Sequence, residues 1–169
     1  TKSKAEIGLK KTNMDQRSDF EIVELEETCV AGLPIRTNNR MEQELADRGW
    51  IAKAWDEIKK RSDPNMPAVI YTGYSNDRNG DFSVVIGFRR SSATDFNPCE
   101  VIAKVGAGKF AKFTHVGAMP YAVIEAWQAV WWAEDNGSLH RAYTADLELY
   151  SGMTDSSGEM TVELFIAIK

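Results

Sequence analysis

Short stretches in which hydrophobic and polar residues alternate make up much of the sequence, and they predict a protein rich in β-strands. Alternation with a period of two places successive side chains on opposite faces of a strand, so that one face can be buried. By this criterion we predict strands over residues 20–35, 68–74, 81–89, 100–105, 110–116, 141–150 and 160–169. Turn-forming loops predict that the second and third of these strands, and the last two, form hairpins.

Hydrophobic residues recur at helical spacing over residues 41–60, which predicts the first of two main helices. Asn39 is the expected N-cap, and Glu42 three residues later completes the pattern of a capping box. Gly49 interrupts the hydrophobic pattern and is expected to loosen or kink the helix. Asp63-Pro64 then ends it.

The second predicted helix begins near Pro120 and ends at Asn136-Gly137. The residues predicted to share one face of it are Tyr121, Ile124, Trp127, Gln128 and Trp131. Two interpretations of its tryptophans stay open. They pack the helix against a sheet, which is the usual role of a single tryptophan, or they line a cleft together with Trp55 of the first helix.

The order of elements in the first half of the chain is repeated in the second half. The matched segments are Ala54-Trp55 and Ala126-Trp127, Tyr74-Ser75 and Tyr150-Ser151, and residues 82–87 and 161–166. We therefore predict an α+β fold in which two pseudo-symmetric β-rich halves form one curved antiparallel sheet, with two main helices over a ligand cleft. The halves are about 20–90 and 98–169, and a flexible segment, residues 1–19, precedes this single domain.

Composition and charge exclude several classes of protein. A hydrophobic fraction of 43% and a charged fraction of 27% fit an ordinary globular domain of 169 residues. The net charge of −5 argues against a nucleic-acid groove, which needs clustered Lys and Arg. Cys29 and Cys99 belong to no CxxC pair, so we expect neither a disulfide framework nor a metal site. No apolar run approaches the roughly 18 residues of a membrane span, and we expect a cytoplasmic protein.

The segment 146–150 carries the most informative pattern for function. Strand alternation places Asp146, Glu148 and Tyr150 on one face. Either this face lies in water, or Glu148 points inward toward the helices and their aromatic residues. In the second case a buried carboxylate without a fixed cation would take up a proton or attract a cationic ligand. By the duplication, Tyr74 would approach Glu148 from the symmetric side.

These segments, taken in order, resemble the GyrI-like small-molecule-binding domain, which is also the effector-binding domain of AraC-type transcription activators. The resemblance covers about residues 20–169. In the first half it rests on residues 30–33, 36–39, 71–74 and 81–87. In the second half it rests on residues 106–113 with His115 and Gly117, on Trp127, and on Arg141 with residues 146–150.

The resemblance implies a binder of bulky, apolar, often cationic compounds, in which the glutamate at the position of Glu148 supplies the negative charge. Our inference from strand phase and pseudo-symmetry extends the ligand-binding set. The added residues are Trp55, Tyr74, Tyr121, Trp127, Trp131 and Tyr150. Because no helix-turn-helix precedes Phe20, we expect a stand-alone protein that sequesters or senses a small lipophilic cation.

Two alternative functions stay open at this point. A small hydrolase would use Glu148 with Tyr74 or Tyr150 as base and proton relay. A protein-interaction module would inhibit a macromolecular partner through its acidic surface. We expect no cofactor, no metal, no direct contact with nucleic acid and no membrane contact, while a protein partner and a homodimer both stay open.

Overall fold

The structure of the protein, a computed structural model, describes residues 20–154 and 158–169. The predicted flexible segment 1–19 lies outside the described residues. The strands are Glu21–Leu25 (β1), Thr28–Thr37 (β2), Pro67–Thr72 (β3), Phe82–Arg90 (β4), Val101–Val105 (β5), Gly108–Ala118 (β6), Ala145–Thr154 (β7) and Glu159–Ala167 (β8). The helices are Asn39–Leu45 (α1), Trp50–Lys59 (α2) and Tyr121–Asp135 (α3), with a 3-10 turn, Ala46–Arg48, between α1 and α2.

The strands named above form one antiparallel sheet in the order β1-β6-β8-β7-β3-β4-β2-β5. This order is symmetric about its centre, where β3 of the first half pairs with β7 of the second half. The sheet curls so that β5, at one edge, comes close to β3 and β7. The predicted α+β fold, with two pseudo-symmetric halves in one curved antiparallel sheet, is confirmed.

The first strand of each half pairs with a strand of the other half, and the sequence pattern does not reveal this exchange. Strand β1 pairs with β6, and β5 pairs with β2. The two pairings share one register, since Leu25 lies opposite Gly108 and Val105 lies opposite Thr28. The exchange ties the halves together at both edges of the sheet as well as at its centre.

Both faces of the sheet carry a hydrophobic core. Helices α2 and α3 cover one face, and the buried residues there include Ile58, Val69, Val84, Val130 and Leu164. The other face has its own buried cluster, which includes Val30, Ile70, Val85, Leu147 and Phe165. Side chains of the exchanged edge strands, among them Val23, Leu25 and Ala103, pack against this second cluster. The exchange therefore helps to cover the face against which none of the described helices packs.

The first predicted helix is in fact two short helices. Its N-cap is Asn38 rather than Asn39, and the Asn38 side chain accepts a hydrogen bond from the first turn of α1. The Glu42 carboxylate does not complete a capping box with this cap. It accepts a hydrogen bond from the backbone N–H of Ile51 at 3.2 Å and so caps α2. Gly49 makes room for it, because a Cβ there would lie 2.4 Å from Glu42 Oε2.

The buried face of α3 differs from the predicted one. It consists of Ala122, Ala126, Ala129, Val130 and Ala133. Tyr121, Ile124 and Gln128 are exposed, while Trp127 and Trp131 are half-buried and flank the alanine face. Small side chains let the helix backbone approach the sheet closely, so the large side chains are displaced to the flanks. The prediction from the large hydrophobic residues therefore identified the wrong face of α3 as the buried one.

Two glycines lie opposite each other in β2 and β4, Gly32 and Gly87. A Cβ on Gly32 would lie 2.0 Å from the carbonyl oxygen of Ile86, and one on Gly87 would lie 1.9 Å from that of Ala31. In a regular sheet a Cβ points away from the neighbouring strand, so these distances mark a place where the two backbones turn toward each other.

Gly87→Ala should therefore destabilise the protein by about 3 kcal/mol, because the new methyl group meets backbone that cannot move independently. Gly108→Ala is the matched control in β6, where the nearest atom to an added Cβ, in Phe110, is 3.9 Å away. The control should leave stability unchanged or raise it by up to about 1 kcal/mol. Urea denaturation of both variants is the measurement, and equal effects would contradict the close approach.

Candidate functional site

Strand β7 presents a row of polar side chains to the face of the sheet that carries the helices. Asp146, Glu148 and Tyr150 are all buried, and Leu147 points into the core of the opposite face. The inward orientation of Glu148 is confirmed, and the alternative of a polar face in water is wrong. The alternation of Asp146 to Tyr150 placed these side chains on one face, and the structure shows that this face lies inside the protein.

The carboxylate of Glu148 is 1% exposed and accepts three hydrogen bonds. Trp127 Nε1 donates to its Oε1 at 2.8 Å, and the Tyr71 hydroxyl donates to the same oxygen at 3.1 Å. The Tyr150 hydroxyl donates to Oε2. All three donors are neutral, and no Lys, Arg or His of the described segments forms an ion pair with Glu148. The charge of this group is solvated by dipoles alone.

The two tyrosines are equivalent under the pseudo-twofold axis. Val69 lies directly opposite Glu148 at the centre of the sheet, and Tyr71 and Tyr150 each follow two residues later. In the flanking strands, Tyr71 lies opposite Val84 and Tyr150 lies opposite Val162. The sequence alignment that matched Tyr74 with Tyr150, and residues 82–87 with residues 161–166, is therefore wrong.

The two helices complete this symmetric arrangement with one tryptophan each. Trp127 of α3 meets the ring of Tyr71 edge-on, with centroids 4.9 Å apart, and Trp55 of α2 meets Tyr150 edge-on at 5.2 Å. Each tryptophan thus packs against the tyrosine of the other half of the chain. We call Tyr71, Tyr150, Trp127 and Trp55 the aromatic cage of Glu148.

Burial governs the protonation of this cluster. It raises the pKa of Glu148, and the hydrogen bonds from Tyr150, Trp127 and Tyr71 oppose that effect only in part. Burial, and next the nearby charge of Glu148, also raise the pKa of both tyrosines well above 10. The tyrosines therefore stay neutral donors, and Glu148 is the group of the cage that changes charge.

A buried ion pair lies beside the cage. Arg141 Nη2 is 2.8 Å from Asp146 Oδ2, and the two side chains are 2% and 0% exposed. Asp146 also accepts hydrogen bonds from the Tyr74 hydroxyl at 2.5 Å and from the backbone N–H of Ala167 at 2.9 Å. The carboxylate of Asp146, unlike that of Glu148, already has a cation.

The guanidinium of Arg141 is surrounded by aromatic rings. It lies 4.2 Å from the ring centre of Tyr143, 5.5 Å from that of Tyr74 and 5.8 Å from that of Trp127. Trp127 therefore belongs to both clusters, because its nitrogen bonds Glu148 and its ring faces Arg141.

The structure brings four of the seven predicted site residues together: Glu148, Trp127, Tyr150 and Trp55. The hydroxyl of Tyr74 bonds Asp146 rather than Glu148, which corrects its predicted place. The reason is the register of β3, which gives Tyr71, and not Tyr74, the position equivalent to that of Tyr150.

The two other predicted residues lie outside the cage. Trp131 lines a separate surface concavity of about 310 Å³. The other residues lining it are Asn39, Arg40, Gln43, Arg78 and Asn79. Tyr121 is 66% exposed at the first turn of α3.

Sequence reasoning missed Tyr71 as a partner of Glu148, and it missed the pairing of Arg141 with Asp146. A signal for Tyr71 exists, since Val69 and Tyr71 alternate with Ala68 and Ile70 in β3 and so share one face. The ion pair left no such signal, because Arg141 lies in an irregular segment before β7.

The matching family agrees with this geometry. Residues 21–168 match Cass2, the family of integron-associated effector binding proteins. The chain belongs to this family. The membership of an effector-binding family expected from the sequence is confirmed, and the Cass2 match spans nearly all of the described residues. No curated protein matches the sequence.

Solved structures similar to this Cass2-family chain include an integron cassette protein from the mobile metagenome of Vibrio cholerae. It is 29% identical, with a TM-score of 0.72 over 89% of this chain and 95% of that chain. SAV2435, solved with tetraphenylphosphonium, is 15% identical, with a TM-score of 0.63 over 89% and 94%. The C-terminal domain of EcmrR is 14% identical, with a TM-score of 0.52 over 89% and 97%. The latter two show the fold alone. In the described segments no helix has the length and apolar character to cross a membrane.

The raised pKa of Glu148 makes stability depend on pH, because the folded chain binds this proton more tightly than the unfolded chain does. The resulting stabilisation is complete below pH 4.5, the ordinary pKa of the group, and is lost as the pH rises through the folded-state pKa. Glu148→Gln removes the titration but keeps an acceptor for Trp127 and Tyr71. The free energy of unfolding of the parent, relative to this variant, should therefore fall as the pH rises above 4.5.

Urea denaturation of both proteins at closely spaced pH values measures this difference. Glu24→Gln, at an exposed position of β1, is the matched control for the loss of one carboxyl group. A difference between the parent and Glu148→Gln that stays constant from pH 4.5 to neutral pH would disprove the raised pKa.

Proposed function

We propose that this chain binds a bulky, lipophilic organic cation at Glu148, with the aromatic cage as the wall of the site. The observation that carries the proposal is that a carboxyl group buried among four aromatic rings has only neutral hydrogen-bond partners. The description of the Cass2 family as effector binding supports a small-molecule ligand in general.

Electrostatics favours a cation over a neutral compound in this cage. An ionised carboxylate in the protein interior is costly unless a positive charge compensates it. The raised pKa of Glu148 indicates that its three neutral donors compensate only part of that cost. An entering cation would supply the missing charge in surroundings with little water, where the attraction is stronger than at the surface.

Hydrophobic contact favours a bulky and lipophilic cation over a small hydrated one. A lipophilic cation gives up little hydration on leaving water, and each aromatic face it meets contributes about 0.5–2 kcal/mol. Tetraphenylphosphonium, the compound bound to SAV2435, has both properties. It is therefore a suitable probe for a chain with the same fold.

Binding requires that part of the cage move, because Glu148 is closed off from solvent. Trp127 is held by its hydrogen bond to Glu148 and by the guanidinium of Arg141 over its ring. Trp55 is held by its edge contact with Tyr150 and lies on the shorter helix α2. We expect Trp55 to be the ring that a ligand displaces.

Such a protein would sequester or sense lipophilic cations inside the cell. Cys29 and Cys99 are both free thiols, as in the reducing cytoplasm, which we propose as its location. Promiscuity would be expected of it, since hydrophobic contact gives affinity with little selectivity for shape.

Titration with tetraphenylphosphonium should quench the tryptophan fluorescence of the parent protein, because two tryptophans belong to the cage. Glu148→Gln should weaken this binding about tenfold or more, since it removes the attracting charge but keeps the shape of the site. Isothermal titration calorimetry gives the dissociation constants independently of fluorescence.

Two controls separate charge from shape. Glu24→Gln changes the net charge equally at an exposed site and should bind the cation like the parent. Triphenylphosphine oxide, a neutral aryl compound, should bind the parent and Glu148→Gln equally and more weakly than the cation binds the parent. Cation binding of parental strength in Glu148→Gln would remove the basis of the proposal.

A further inference from the structure

Three buried ionisable groups stand next to one another on the helix-covered face of the sheet. Asp146 and Glu148 lie two residues apart on the same face of β7, and Arg141 is paired with Asp146 at 2.8 Å. Residues spaced in this way along a strand are about 7 Å apart. With Glu148 ionised, the three groups sum to a single negative charge.

Trp127 connects the ion pair to the cage. Its indole nitrogen is 2.8 Å from Glu148 Oε1, and the guanidinium carbon of Arg141 is 5.8 Å from its ring centre. A ligand bound at Glu148 therefore lies within reach of the field of Arg141. Buried charges at such distances interact strongly, because neither water nor salt screens them well.

We propose that Asp146 is a specificity-determining residue, which cancels the charge of Arg141 so that the site carries one negative charge and selects a monovalent organic cation. This inference rests on the proposed function and names the charge of its ligand. Asp146 would act through Arg141 and would not touch the ligand.

The physical argument is one of charge balance. The side chain of Arg141 is 2% exposed and cannot move its charge into water without leaving its aromatic surroundings. A guanidinium also does not give up its proton in a protein. Without the carboxylate of Asp146, Arg141 would therefore stay charged, offset Glu148 and repel an entering cation.

Asp146→Asn tests this directly, because it removes the charge and keeps the size of the side chain. Its single amide oxygen can accept either from the N–H of Ala167 or from Tyr74, since these donors bond different oxygens of Asp146. Binding of tetraphenylphosphonium should weaken about tenfold or more, as expected for one uncompensated charge within several ångströms. Binding of neutral triphenylphosphine oxide should change less than about twofold, since a charge acts weakly on a neutral ligand. Calorimetry with both probes measures this divergence.

The double variant Arg141→Met with Asp146→Asn removes both charges and restores a sum of one negative charge. Its affinity for tetraphenylphosphonium should return to within about threefold of the parent, because Glu148 again acts alone. Asp63→Asn is the matched control, since it breaks an ion pair with Arg90 whose side chains are 12% and 10% exposed, outside the site. The control should bind both probes like the parent.

The outcomes are distinct. Equal weakening of the cation and the neutral probe in Asp146→Asn, or no recovery in the double variant, would show a structural role and overturn the inference. If thermal melting shows that Asp146→Asn does not fold, the double variant alone tests the inference. Binding of tetraphenylphosphonium by the double variant would support the inference, and loss of that binding would overturn it. Failure of the proposed function is a separate result, in which the parent protein itself does not bind tetraphenylphosphonium.

Discussion

The constraint on which the structure depends is the burial of the Glu148 carboxyl group at the centre of the sheet. Burying an acid costs free energy unless it is hydrogen-bonded or neutralised, and here the hydrogen bonds come from two tyrosines and a tryptophan. Those donors lie on β3, β7 and α3, so the carboxylate joins both halves of the chain. The raised pKa of Glu148 indicates that these hydrogen bonds offset only part of the free-energy cost of burying its charged form.

The internal duplication explains how the cage arises, and one position breaks its symmetry. Tyr71 with Trp127 repeats the contact of Tyr150 with Trp55, so each wall combines a tyrosine of one half with a tryptophan of the other half. At the axis, however, Glu148 faces a valine across the strand pair. The repeat thereby acquires at its axis a buried carboxyl group that has no counterpart in the other half.

Strand alternation in the sequence was enough to predict the strands and to place Glu148 on one face with Asp146 and Tyr150, because a period of two depends only on neighbouring residues. It left open whether that face is buried, since burial depends on what packs against the strand. Pairing between strands depends on residues far apart in the chain, which is why Tyr74 was chosen over Tyr71. The face of α3 was predicted wrongly for a different reason. Its alanines, such as Ala126, give a weak hydrophobic signal but allow the closest packing.

The packing of the helices makes the two walls of the cage unequal. Helix α3 is 15 residues long and lies on the sheet through small side chains, which brings Trp127 within hydrogen-bonding distance of Glu148. Helix α2 has 10 residues, follows a break at Gly49, and takes its cap from Glu42 of α1. The Trp55 side of the cage therefore rests on fewer cooperative contacts. The two walls of a symmetric repeat are thus held unequally, and we expect the Trp55 wall to be the one that moves.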